Sequence, residues 1–151
     1  MFTINAIMST NLVTVEPSAT LADARTLMKE NRIHHLPVMD GKSLAGLVSL
    51  TNVLAATDSF LRDDHNRIHA NEITVEDAMT IDVATVDVNA SLRQAALFLE
   101  KHKIGCLPVM DDGEVVGIIT ETDFVAVAIN LLEQIEAEEP FDDDYDEVDV
   151  A

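Results

Sequence analysis

The residues best suited to bind a small molecule form a short motif near the carboxyl end of the chain. Gly117 is followed by two apolar residues and Thr120, and Asp123 comes three positions later. We expect a buried strand to run into a helix here, where backbone N–H groups attract phosphate. The carboxylate could accept hydrogen bonds from two vicinal ribose hydroxyls, each worth about 1.5–3 kcal/mol. The motif therefore suits a ribose monophosphate, although a hydroxyl and a carboxylate at this spacing also form a helix-capping box.

A related motif occurs earlier in the chain, with Ser49 and Asn52 in place of Thr120 and Asp123. Residues 8–54 and 79–125 are an internal repeat with a constant offset of 71 and no gap. The run from Leu36 to Asp40 recurs letter for letter from Leu107 to Asp111. Two copies of one unit create two clefts between them, and neither copy needs to bury its apolar face alone. Differences between the copies should therefore indicate which cleft binds a ligand.

Each copy is predicted to fold as strand, helix, strand, strand and helix, which makes the chain an α/β (α+β) protein. The pattern rests on β-branched runs closed by turn residues and on apolar residues at helical spacing. The predicted elements are 12–15, 18–30, 34–39, 43–49 and 51–56 in the first copy, and 83–86, 91–101, 106–110, 114–120 and 123–135 in the second. We predict one repeat over residues 1–66, a second over 67–135, and an acidic, disordered tail over 136–151.

Composition limits the possible partners. The formal net charge is −19, and no Lys or Arg follows Lys103. This balance repels phosphate backbones, so nucleic acid and anionic membranes are poor partners. The chain has no stretch of about 20 apolar residues that could cross a bilayer. The single Cys106 cannot form an intramolecular disulfide, so we expect a cytoplasmic protein.

The duplicated order of elements, with Leu-Pro-Val before each hairpin and the Gly-to-Asp motif after it, resembles the cystathionine-β-synthase (CBS) domain pair, or Bateman module. The resemblance covers about residues 5–130. It implies two repeats packed through their sheets about a pseudo-twofold axis. It also implies reversible binding of an adenosine-containing ligand (AMP, ADP, ATP, NAD or S-adenosylmethionine), without a required cofactor and without catalysis. Few basic residues surround the site, which favours AMP. Surplus apolar residues on the second helices favour a homodimer that signals to a separate protein effector.

The resemblance implies that the first cleft combines the second copy's motif with residues of the first copy. His34 and His35 would reach phosphate, and they are expected to be partly protonated at neutral pH. Nucleotide affinity should then rise as pH falls from about 8 to 6. The apolar residues among the set would sandwich adenine. The ligand-binding residues implied for this cleft are Met8, Ser9, Thr10, Val13, Ile33, His34, His35, Ile118, Thr120 and Asp123.

The second cleft departs from the family pattern in two ways. Asn52 replaces the ribose-binding carboxylate, and Gly105 and Cys106 offer no charge to phosphate. A loss of about 1.5 kcal/mol lowers affinity about tenfold, so this site is predicted to be weaker, empty or differently selective. The residues implied for it are Thr80, Ile81, Thr85, Gly105, Cys106, Ser49 and Asn52.

Several alternatives compete with these readings. His34 and His35 could be structural, because strand alternation turns one inward and one outward. His65 and His69 have the spacing of some zinc ligands, but no Glu follows His65 as a metalloprotease helix requires. The acidic tail lacks the glycine and final glutamate of a calcium loop. Cys106 has no evident base nearby that would make it a nucleophile. A metal-assisted hydrolase using the five histidines therefore has little support, and no metal site is expected.

The principal alternative to a sensor is a scaffold that has lost ligand binding. Asn52 favours this reading, whereas the intact Thr120 and Asp123 argue against it. Such a scaffold would dock proteins through its helix faces and its acidic tail.

Overall fold

The computed structural model describes residues 3–57 and 71–138. A short 3₁₀ turn, Ile4–Ala6, precedes the main elements. The α-helices are α1 Leu21–Asn31, α2 Leu50–Thr57, α3 Val75–Ala78, α4 Leu92–His102 and α5 Glu121–Glu138. The strands are β1 His35–Asp40, β2 Ser43–Ser49, β3 Val86–Asp87, β4 Cys106–Asp111 and β5 Glu114–Thr120. These mixed helices and strands confirm the predicted fold class.

The two hairpins are equivalent in detail. Strands β1 and β2 pair antiparallel, as do β4 and β5, and each pair has a register shift at the same repeat position, Val38/Met39 and Val109/Met110. The internal repeat in the sequence thus corresponds to a structural repeat that extends to the pairing of individual strand residues.

The predicted opening strands are shorter than expected. In the first copy, only Val15 forms a bridge, parallel to Val38, where a strand over 12–15 was predicted. In the second copy, Val86 and Asp87 form the strand. The residues before them still pack on the core of their own repeat, Val13 in the first copy and Ala84 in the second.

Helix α5 differs from prediction at both ends. It begins at Glu121, directly after β5, and it runs to Glu138, three residues into the predicted disordered tail. The rest of that tail, 139–151, lies outside the described residues, as does the predicted boundary between the repeats at 66/67.

Local sequence explains the ends of α1 and α4. Thr20 and Asp23 form a reciprocal capping box at the start of α1, and Ser91 and Gln94 do so for α4. Each box satisfies backbone N–H groups that have no partner inside the helix. Both helices end on a left-handed basic residue, Arg32 with φ 55° or Lys103 with φ 53°. This ending directs the chain into the following strand.

The opening segment of each repeat packs on the other repeat. Ser9 bridges Ile118 of β5, and its repeat equivalent Thr80 bridges Leu47 of β2. Accordingly, Ile4 lies in the hydrophobic core of the second repeat, and Val75 lies in that of the first. Both are fully buried. The exchange joins the halves about a pseudo-twofold axis and brings residues of both halves to each cleft.

Candidate functional site

The first cleft lies between the two repeats and has a volume of about 490 Å³. It brings together eight of the ten residues predicted for it. Val13, Ile33 and Ile118 supply apolar surface, and the strand-to-helix junction of the second repeat supplies polar groups. The eight are Ser9, Val13, Ile33, His34, His35, Ile118, Thr120 and Asp123.

The other two predicted residues lie elsewhere. Thr10 does not line the cleft, and Met8 packs against the second repeat. The Met8 Sδ atom lies 2.7 Å from the position that a Cβ on Gly117 would occupy. Met79 has the same relation to Gly46, at 2.6 Å. Each methionine thus fills the space left by a glycine, which removes Met8 as a candidate for sandwiching adenine.

The hydrogen bonds of Asp123 bear on the two roles that the sequence left open for it, helix capping and sugar binding. Its Oδ2 atom accepts a hydrogen bond from the Thr120 N–H at 2.8 Å and one from the Thr120 hydroxyl at 3.3 Å. Among the described residues, the Asp123 Oδ1 atom has no hydrogen-bonding partner. One carboxylate oxygen therefore caps the helix, and the other remains available to accept from a sugar hydroxyl.

The helix start offers a bound phosphate fewer amides than expected. The Thr120 N–H is engaged by Asp123, and the Glu121 N–H donates to the Gly105 carbonyl at 3.1 Å. The expectation that these amides are free for phosphate was therefore wrong.

Three basic side chains border the first cleft. His34 is exposed and His35 is half-buried, as strand alternation predicts, and Arg32 precedes them. Burial lowers the pKa of His35, the neighbouring His34 lowers it further, and the Glu121 carboxylate acts in the opposite direction. The net effect disfavours the protonated form of His35 in the empty protein.

Sequence reasoning missed Arg32. Its signal was its position, a basic residue at the end of α1 just before Ile33. The repeat equivalent, Lys103, does not line the second cleft. Within the part of the chain that the structure describes, the first cleft thus has a permanent cation and the second has none. The further residues that line the first cleft are Asn11, Leu12, Asn31, Arg32, Pro37, Gly105, Glu121 and Thr122.

The second cleft has a volume of about 410 Å³ and a different lining. Of the residues predicted for it, Ser49, Thr80, Gly105 and Cys106 are present, whereas Ile81, Thr85 and Asn52 are not. Ile81 is 64% exposed. Asn52 is turned to its own repeat, where its Oδ1 accepts from the Ser49 N–H and from the Ser49 hydroxyl, both at 2.9 Å.

Aromatic and acidic groups complete the second cleft. The rings of Phe98 and His102 lie 4.2 Å apart at its wall, and Asp82 adds a carboxylate. Burial raises the pKa of the Cys106 thiol to about 12, so it is protonated at neutral pH. This cleft is less suited to an anion than the first is.

The sequence also raised the questions of a metal site and of a membrane-spanning segment. Within 3–57 and 71–138, no group of three or more His, Cys, Asp or Glu could hold a metal ion. His65 and His69 lie outside those ranges. No helix in the same ranges is long and apolar enough to span a membrane.

Comparison with known proteins gives matches over most of the chain. A family model for the CBS domain matches twice, at residues 4–59 and 75–130. The CBS domain-containing protein YhcV of Bacillus subtilis is 27% identical over 119 residues, which are 79% of this chain and 80% of YhcV. The chain spans only 22% of a homoserine O-acetyltransferase of Methanocorpusculum labreanum, to which it is 32% identical over 120 residues, 78% of this chain.

Solved structures agree with the family match. AcuB of Vibrio cholerae, a protein named for acetoin utilization, superposes with a TM-score of 0.76 at 40% identity, over 93% of this chain and 99% of AcuB. CBSX2, a CBS-pair protein of Arabidopsis thaliana solved in complex with AMP, superposes with a TM-score of 0.73 at 32% identity. That match covers 87% of this chain and 99% of the CBSX2 chain.

Proposed function

The chain belongs to the CBS domain family, of which it carries two copies, and we propose that it is a non-catalytic regulatory module that binds an adenosine-containing ligand in its first cleft. AMP is the favoured ligand. The observation that carries the proposal is that one cleft is lined both by Asp123, with its available oxygen, and by the basic side chains of Arg32, His34 and His35. A ribose monophosphate carries both the hydroxyls and the anion that such a lining would bind.

The balance of charged side chains in the first cleft favours a ligand with a single phosphate. Among the described residues, Arg32 is the one Arg or Lys side chain that lines the first cleft, and two carboxylates, Glu121 and Asp123, line it as well. A triphosphate would place several further charges against this balance. AMP in the solved CBSX2 complex agrees with this choice of ligand class.

Binding should be tested with a thermal-shift panel of AMP, ADP, ATP, NAD and S-adenosylmethionine on the full chain. At a hundredfold excess over its dissociation constant, a ligand of the native state adds about 2.7 kcal/mol of stability. We expect AMP to give the largest shift, and Asp123→Ala to remove the part of it that comes from the first cleft. Asn52→Ala is the matched control, because Asn52 lies outside both clefts and should leave the shift nearly unchanged. A panel without any shift would contradict the proposal.

We further propose that the module forms a homodimer through α5. This helix has no buried residue within one chain, and its exposed apolar residues include Val125, Ile129 and Leu132, spaced four and three apart on one face. They are 57%, 51% and 56% exposed, respectively. A second copy would cover this apolar face, and a separate protein effector would then read the ligand state of the dimer.

One observation favours the scaffold alternative. The Asp123 Oδ2 atom and the Asn52 Oδ1 atom both bond to the backbone of their own repeats, as simple helix caps would. A scaffold predicts that Asp123→Ala changes only stability. The thermal-shift panel separates the two functions, because a scaffold gives no ligand-dependent shift in either variant.

A further inference from the structure

His35 stands between the two clefts. Of the described residues, His35 and Gly105 are the two that line both. The His35 Cε1 and Nε2 atoms lie 3.1 and 3.2 Å from the position that a Cβ on Gly105 would occupy. One imidazole packed on a glycine backbone therefore separates the two ligand positions.

Both residues are anchored to the walls of the clefts. His35 pairs with Ser49 across the first hairpin, and Ser49 lines the second cleft. The Gly105 carbonyl accepts from the N–H of Glu121, which lines the first cleft. The backbones are held by these bonds, so the freedom that remains at this boundary is rotation of the His35 side chain.

We propose that the two clefts compete for His35, so that a ligand in one cleft weakens binding in the other. This inference rests on the proposed function. The Nε2 atom faces Gly105, and it cannot serve a phosphate in the first cleft and a polar group in the second at once. By thermodynamic linkage the weakening is the same in both directions. The loss of one hydrogen bond corresponds to an affinity change of about two- to tenfold.

The competition is measured by titrating AMP into methyl-labelled protein and following two reporters by NMR. Ile118 lines only the first cleft and Val83 only the second. In the wild type, the second cleft fills while the first is occupied. In Asp123→Ala the first cleft is disabled, so the Val83 midpoint should fall to an AMP concentration about two- to tenfold lower.

His35→Ala removes the shared group, so on that background Asp123→Ala should leave the Val83 midpoint where it was. His34→Ala is the matched control, since His34 lines only the first cleft. His34→Ala should weaken the AMP binding that Ile118 reports. On this background, Asp123→Ala should still lower the Val83 midpoint. Gly105→Ala provides a second test that retains the imidazole. The added Cβ would press on the His35 ring and fix its position. On this background, Asp123→Ala should therefore shift the Val83 midpoint less than it does in the wild type.

The outcomes separate this inference from the proposed function. A titration in which neither methyl responds contradicts ligand binding itself. Equal Val83 midpoints in the wild type and in Asp123→Ala would leave ligand binding intact and overturn the competition. The competition would also be overturned if Asp123→Ala still lowered the Val83 midpoint on the His35→Ala background. AMP that binds only the first cleft in every variant would overturn it as well.

Discussion

The carboxylate of Asp123 accepts a hydrogen bond from the backbone N–H of Thr120, with 2.8 Å between nitrogen and oxygen. Asn52 makes the equivalent bond to Ser49 at 2.9 Å in the first repeat. An amide and a carboxylate therefore perform the same capping role at the same repeat position. The difference between the repeats lies in what the remaining atom offers: Asp123 has an anionic acceptor, and Asn52 has an amide donor.

Asp123→Asn should separate capping from ligand binding. The Asn would keep the cap, as Asn52 does, so stability should change by less than about 0.5 kcal/mol. AMP affinity should fall about tenfold, because the charge-assisted bond to ribose is lost. Isothermal titration calorimetry measures the affinity, and urea denaturation measures the stability. Unchanged affinity would remove this carboxylate from sugar recognition.

AMP affinity should rise as pH falls. Burial lowers the pKa of His35 in the empty protein, and a bound phosphate raises it, so binding takes up a proton in the interval between the two values. Because the pKa of His35 is lowered in the empty protein, the rise in affinity should continue to a lower pH than it would for an unperturbed imidazole. Calorimetry between about pH 8 and 5.5 checks this, with His35→Gln as the control that should flatten part of the rise. A wild-type profile identical to that of His35→Gln would contradict a proton on His35.

Gly46→Ala should destabilise the protein by about 1–3 kcal/mol, because the new Cβ would lie 2.8 Å from the Thr80 carbonyl oxygen and 2.6 Å from the Met79 Sδ. Gly41→Ala is the comparison. A Cβ there meets nothing within 4 Å, but φ is +61°, so the cost should be about 1 kcal/mol of backbone strain. Urea denaturation of both variants gives the two values. A smaller cost at Gly46 than at Gly41 would contradict the close packing.

Cys106 should react slowly with thiol reagents while the protein is folded. A pKa of about 12 leaves about one ten-thousandth of the thiol ionised at pH 8, and only the thiolate attacks. Alkylation should therefore be about a thousandfold slower than in the urea-unfolded chain, where the thiol has an ordinary pKa. Mass spectrometry follows the modification. Rapid labelling of the folded protein would show that the thiol is accessible and restore it as a candidate nucleophile.

Ile129→Lys should convert a dimer to a monomer, since it places a charge in the apolar face of α5. Gln134→Lys is the matched control, because the same charge change lies on the opposite side of the helix, about 180° from Val125. Sedimentation velocity should show lighter particles for Ile129→Lys alone. A wild-type chain that sediments as a monomer at every concentration would exclude this interface.

The local structure followed from the sequence alone. The repeat, the hairpin from His35 to Ser49 and the capped start of α1 at Thr20 were predictable because each depends on neighbouring residues. Strand alternation, turn residues and capping pairs act over a few positions. Eight of the ten residues that the resemblance implied for the first cleft line one cavity of the structure, and they come from such short motifs.

The contacts across the pseudo-twofold axis depended on the tertiary structure. The exchange of opening segments put Met8 against Gly117, and it left Val15 as a single bridge where a strand was expected. Arg32 lines the first cleft, whereas Lys103 does not line the second. The His35 ring packs against Gly105. Each of these contacts joins residues far apart in the chain. Their geometry is set by how the two nearly identical surfaces of the repeats pack together. The spacing of apolar residues within either copy does not predict it.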